Sequence, residues 1–297
     1  MSTQTTETEL PVPAVSTPKD EARPAVTPVL TITPRRHGFF PVKELWEFRE
    51  LLYFLAWRDI KIRYKQTVFG AAWAVIQPLV TMVIFTAIFH RFARITTGDI
   101  PYPVFAYAGL LPWNLFAGSL QRSILSLVGS THLITRVYFP RQILPIAATF
   151  SAAVDFAVAF AVLIVMGVGY GVPPTWRLLA LPAAVAMVML TAMGVGMWLS
   201  ALNVKYRDVG HTVPFLIQVW MFASPVAYPL ALVPGHLHRL YAANPMAGAI
   251  ELFRWAVAGG PAPSVPLLAI GFGATLVLLA WGLFYFRQME RSFADII

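Results

Sequence analysis

The chain has 297 residues, of which 58% are apolar and only 12% charged, with a net charge of +8 and no cysteine. A soluble globular domain runs at roughly 45–50% apolar and about 25% charged, so a water-soluble domain is excluded. The missing thiols exclude disulfides and thiolate metal sites, and no basic stripe with interleaved aromatics stands on a soluble segment to suggest nucleic-acid binding.

Residues 1–40 differ in kind from the rest. They carry Pro11, Pro13, Pro18, Pro24, Pro28 and Pro34, are rich in Thr, and hold no aromatic before Phe39. Such a segment buries too little apolar surface to offset its ordering entropy, and it has no signal-peptide apolar core. It is expected to be a disordered cytoplasmic tail preceding a single membrane domain over 41–297.

Residues 43–65 mingle Trp46, Phe48, Leu51, Leu52, Leu55 and Trp57 with Glu44, Glu47, Arg49, Glu50, Arg58 and Asp59. This pattern predicts an amphipathic helix lying in the membrane interface. Its end carries Arg58, Lys61, Arg63 and Lys65 against the single acid Asp59. Two readings fit that run: an ordinary cytoplasmic anchor, or a docking surface for an anionic lipid-linked head group. On a helix, Arg58, Lys61 and Lys65 share a face while Arg63 points elsewhere.

Crossing the hydrocarbon core takes about 20 apolar residues, and six runs reach that length: 66–90, 100–121, 142–176, 178–204, 209–238 and 255–286. The fold expected is therefore all-α and integral to the membrane. Six transmembrane helices follow an amino-terminal interface helix, and short re-entrant helices lie outside. Lys and Arg resist translocation, and with both termini inside they divide 17 to 5 in favour of the inner segments.

Inside the first run, Pro78 predicts a kink. The link over 129–141 is short and is expected to form one helix ending at Phe139, since Pro140 disfavours helical geometry before it. After the fifth run, Pro225, Pro229 and Pro234 lead to an Asn244-Pro245 turn and an apolar piece, 246–258, too short to cross. Glu251 and Arg254 within it are spaced to meet on one helix face, either as a local salt bridge or as the pin of an external gate.

Several chemistries are absent. A P-loop needs Gly-Lys, and none of the five lysines follows glycine. The aspartates are solitary, so paired-carboxylate catalysis has no candidate, and His236 and His238 have no third ligand for a metal. Asp155 is the lone charge inside the apolar runs; it makes either a structural hydrogen bond or the coupling group of an ion-driven secondary transporter.

The run from Arg58 to Gly70, followed by Trp73, Gln77 and Pro78, resembles the start of the membrane subunits of type-2 ABC polysaccharide exporters. Val137-Tyr138-Phe139-Pro140-Arg141, Asn203 to Asp208, and Asn244-Pro245 with Glu251 and Phe253-Arg254-Trp255 extend the resemblance in order across about 43–290. The resemblance implies a homodimeric permease in the bacterial inner membrane with two copies of a separate ABC ATPase that binds the ATP, so no cofactor on this chain. It implies that the segment holding Leu133, Arg136 and Val137 through Arg141 couples to that ATPase. It implies a gate at Asn244, Pro245, Glu251 and Arg254, and an undecaprenyl-pyrophosphate-linked polysaccharide entering near Arg58, Lys61 and Lys65. Sugars would slide on the aromatic faces of Trp73, Tyr107, Trp113, Trp220 and Tyr228, although Trp and Tyr also serve as interface anchors.

Overall fold

A computed structural model of the chain describes residues 46–65, 70–137, 139–290 and 293. The expected tail, the end of the first motif over 66–69, and Tyr138 lie outside the described residues.

All regular structure among the described residues is helical. Helix α1 covers Arg49–Lys65; its apolar and charged side chains are not sorted onto opposite faces as the sequence reading expected, since Tyr53, Phe54, Trp57 and Ile62 are exposed and Leu55 is its one buried residue. Helix α2, Gly70–Phe85, holds Pro78 and continues into a π-helical turn at Thr86–Phe92. Then come α3, Tyr102–Ser126, and the short α4, Thr131–Arg136. Helix α5 spans Ile143–Gly169, and α6 spans Leu181–Lys205 after a 3₁₀ turn at Trp176–Ala180. Helix α7 is Val209–Phe222, α8 His238–Ala243, α9 Pro245–Ala258 and α10 Val265–Glu290. Proline stands in the first turn of α3, α6 and α9, where its missing N–H costs nothing and its fixed φ suits the helix.

Two apolar runs are interrupted where the sequence reading made them continuous. The run 209–238 is helical only to Phe222, after which the prolines at 225, 229 and 234 give turns. The run 255–286 breaks after α9 at Gly259 and Gly260, with φ of +81° and +84°. That left-handed geometry suits glycine and ends the helix. Among the described residues, four helical segments are long and apolar enough to cross a membrane: Ala72–Phe92, Ile143–Gly169, Trp176–Lys205 and Val265–Glu290. Helix α3 has the length but carries Asn114, Gln121 and Arg122, and α7 has only 14 residues.

Helix α3 is the hub. Tyr102, Tyr107, Leu110, Trp113, Phe116 and Leu120 on it are buried, packed with residues of α5, α6, α7 and α9. Helices α6 and α10 meet backbone to backbone: a Cβ at Gly194 would stand 2.7 Å from the Leu278 carbonyl. Thr191 and Thr275 share a hydrogen bond of 3.0 Å across the same contact. Outward faces stay apolar, as at Val80, Val83, Phe215, Leu216 and Val277, the pattern of surfaces solvated by lipid rather than water. A second apolar cluster sits at the basic end of the bundle. It joins Leu55 of α1, Ile134 of α4, Phe139, Leu144 of α5, Val204 of α6, Phe286 of α10, and Phe293.

Candidate functional site

At the basic end one carboxylate gathers three elements. Asp155, on α5, accepts from the Arg122 guanidinium of α3 and forms an ion pair with Arg63 Nη1 of α1 at 3.2 Å. Its other oxygen accepts from the Tyr64 hydroxyl at 2.5 Å. Burial, and after it the hydrogen bond to Asp155, push the Tyr64 phenol up to about 12, so it remains a donor across the physiological range. An unpaired acid among apolar helices is costly, and two guanidiniums and a phenol relieve that cost.

The cations grouped by helix spacing are placed differently with respect to this cluster. Arg58 lines a cavity of about 550 Å³ together with Arg63, Tyr64 and Arg122. Lys61 and Lys65 are exposed and do not line it. Arg58 is bound to its neighbour Asp59 through Nε at 3.0 Å and Nη2 at 2.9 Å. Arg63, which the spacing set apart, is the member that reaches the bundle. Tyr64 and Arg122 were missed. The available signal was the lone intramembrane Asp155, which needs a cation, and Arg122 at the end of a span is a ready partner.

The 129–141 link is also built differently from expectation. Helix α4 stops at Arg136, and Val137 is extended. Leu133 is half-buried, Arg136 and Val137 are exposed, and Pro140 is half-buried. Phe139 is buried in the basic-end cluster. Arg141 donates from Nη1 to the Glu290 carbonyl at 2.6 Å, its amide donates to Glu290 Oε1 at 3.1 Å, and its guanidinium lies over Phe293. Arg141 and Phe139 therefore face inward, and the exposed surface of the described part of this segment is shared by Gly129, His132, Thr135, Arg136 and Val137.

At the opposite end, Asn244 works as a knot. Its Oδ1 accepts from Trp220 Nε1 and the Met246 amide, both at 3.1 Å, and its Nδ2 donates to Ser224 Oγ at 2.9 Å. Pro245 begins α9 and is buried. Arg254 Nη1 meets Glu251 Oε1 at 2.7 Å, while Nη2 reaches the carbonyls of Pro225 and Val226 at 2.8 and 3.1 Å. Its guanidinium lies 3.7 Å over the Phe105 ring, and Gly109 leaves the room: a Cβ there would be 2.7 Å from Arg254 Nη2.

The five aromatic candidates do not form one surface. Tyr107 and Trp113 are 0% and 2% exposed; Tyr107 donates to the Ala159 carbonyl and Trp113 packs edge-on to Trp220. Both are core residues in this structure and present no face to a passing chain, a correction forced by the central position of α3. Trp73 is exposed and Trp220 half-buried. Tyr228 shares its hydroxyl with Tyr241 at 2.7 Å, and burial with this bond raises its phenol above the ordinary value.

A helical membrane protein with its apolar faces outward and an ion-pair cluster at each end has the build of a transport subunit. The ABC-2 type transporter family matches residues 50–257, and the chain belongs to that family. It is 31% identical over 261 residues to the O-antigen export system permease protein RfbA of Myxococcus xanthus, covering 86% of this chain and 98% of the relative. It is 29% identical over 254 residues to the protein of that name from Klebsiella pneumoniae, covering 84% and 95%. With the polysialic acid transport protein KpsM of Escherichia coli it shares 24% identity over 239 residues, covering 79% and 92%.

Proposed function

We propose that the chain is the membrane-spanning half of an ABC exporter that carries a lipid-linked polysaccharide across the bacterial inner membrane. The observation that carries this reading is the similarity to an O-antigen export permease along 98% of that relative's length. In this reading residues 41–297 form the permease, both termini are cytoplasmic, and two copies pair with two copies of an ABC ATPase. The chain itself holds no cofactor; ATP binds the partner. The cargo is a glycan on undecaprenyl pyrophosphate, which reaches the protein from the basic end.

Each part has a role in this reading. Arg136 and Val137 offer the exposed contact for the ATPase, and Arg141 and Phe139 hold that contact on the bundle. Glu251 and Arg254 fix the outer elbow beside α7. Asp155 is engaged by two guanidiniums, which favours a structural cluster over the coupling acid of an ion-driven carrier. The test is to delete the chain in its own host and assay surface glycan, then purify a tagged copy from the complemented strain. Loss of surface glycan and recovery of an ATPase at equal stoichiometry are expected. Unchanged surface glycan in the deletion strain overturns the reading.

A further inference from the structure

At the end of the bundle away from the basic cluster, the span Trp176–Lys205 begins with a cation seated against tryptophan. Arg177 is half-buried, and its guanidinium lies 5.7 Å from the centroid of the Trp255 ring on α9. Trp176 meets Trp255 edge-on at 6.1 Å and is itself 70% exposed. Gly259 follows α9 with a φ of +81°, and a Cβ there would stand 3.0 Å from Arg177 Nη1. Glycine serves twice at this position: it takes the left-handed turn that ends α9, and it leaves room beside the guanidinium.

Tryptophan collects at the level of the lipid headgroups, and Leu179, two residues further into the span, is 83% exposed. Arg177 therefore stands where hydrocarbon gives way to phosphate. The protein does not meet its charge, since none of the ion pairs among the described residues includes it. Glu251, one turn earlier on α9, is committed to Arg254. A guanidinium stacked on a ring keeps its N–H edge for a pair of oxygens, and phosphate supplies that pair.

We propose that Arg177 and the Trp176–Trp255 pair form a binding site for the headgroup of an anionic phospholipid. The phosphate sits on the guanidinium, and the glycerol and first acyl carbons lie along Trp176 and Leu179. A headgroup that also carries an ammonium is disfavoured, because Arg177 already occupies the Trp255 ring and repels a second cation. A sugar chain on the same rings would lie against Leu179, which hydrocarbon solvates and a glycan does not. The site needs only a membrane around the chain and is independent of the exporter reading.

The full-length protein, purified in its natural assembly, is mixed with equal amounts of phosphatidylglycerol and phosphatidylcholine, and the bound lipid is counted by native mass spectrometry. The parent is expected to hold phosphatidylglycerol about fivefold over phosphatidylcholine, the scale of one partly exposed ion pair. Arg177→Gln is expected to bring the ratio close to one, with the thermal midpoint in lipid-free detergent unchanged. Trp255→Leu keeps the charge but removes the ring beneath it, and is expected to lose at least half of the preference. Arg239→Gln removes an exposed cation outside the cluster and is expected to leave the ratio as in the parent. No preference in the parent, or a preference that survives Arg177→Gln, overturns the site. Equal loss in Arg239→Gln overturns it in favour of diffuse surface charge. A full preference in Trp255→Leu overturns the stacked seat and leaves a lone cation. Loss of surface glycan in Arg177→Gln cells, with the lipid ratio intact, assigns the residue to the cargo and overturns the lipid.

Discussion

The guanidinium of Arg141 caps the carbonyl of Glu290 at 2.6 Å, so the segment between α3 and α5 is bolted to the last turn of α10. Helix ends leave carbonyls without intrahelical partners, and a cation there also meets the negative end of the helix dipole.

The two arginines of this segment are therefore expected to behave differently. Arg141→Glu removes a charged hydrogen bond worth about 1.5–3 kcal/mol and sets a carboxylate against Glu290. It should lower the thermal midpoint of the purified chain and lose ATPase recovery with it. Arg136 is exposed, so Arg136→Glu should leave the midpoint in place and reduce ATPase recovery alone. Equal midpoints for the two variants would contradict the inward role of Arg141.

Arg254 is tied to a carboxylate, two carbonyls and a ring. Arg254→Ala strips all four, and removing one partner of a buried pair costs about 3–5 kcal/mol. Glu251→Gln keeps an acceptor and should cost much less. Exchanging the two charges is not expected to rescue, because a carboxylate at position 254 cannot donate to Pro225 and Val226. Thermal unfolding of the three variants checks the order.

The crossing of α6 and α10 tolerates no side chain at Gly194, where a Cβ would lie 2.7 Å from the Leu278 and Leu279 backbone. Gly194→Ala is expected to destabilise by about 1–3 kcal/mol, the range for overpacking. Gly118→Ala meets nothing within 4 Å, so the better helix former should be neutral or slightly stabilising. Denaturation in detergent compares the two.

Tyr64 gives a pH signature. Its phenol is raised from 10.0 to about 12, so the stability it contributes is complete below about pH 10 and is lost as pH rises toward 12. The difference in thermal midpoint between the parent and Tyr64→Phe should be constant up to about pH 10 and shrink above it. A difference that stays constant to pH 12 would mean that Asp155 does not hold this hydroxyl.

Hydropathy alone marked the long helices, because a lipid-facing helix must be apolar on every side that meets lipid. The pair Glu251 and Arg254 was legible because three residues on a helix make neighbours. What escaped was contact between distant elements. Arg122 and Asp155 lie 33 positions apart, and Tyr64 and Asp155 lie 91 apart; no local spacing encodes such meetings. Helical spacing sorted the cations of α1 into faces but could not say which face meets the bundle, so Arg63 was set aside. Tyr107 and Trp113 were misread because an aromatic in an apolar run looks the same whether its helix is central or peripheral.

The brevity of α7 gives part of the membrane's depth to the elbow that follows it. Its 14 residues make about 21 Å at 1.5 Å per residue, against a hydrocarbon slab about 30 Å thick. The elbow that follows is buried at 224–227, and its carbonyls at Pro225, Val226 and Ala227 accept from Arg254 and Tyr102, so protein satisfies the peptide groups that hydrocarbon cannot solvate. Beside α7 about a third of the slab's depth is therefore spanned by this protein-satisfied elbow rather than by helix.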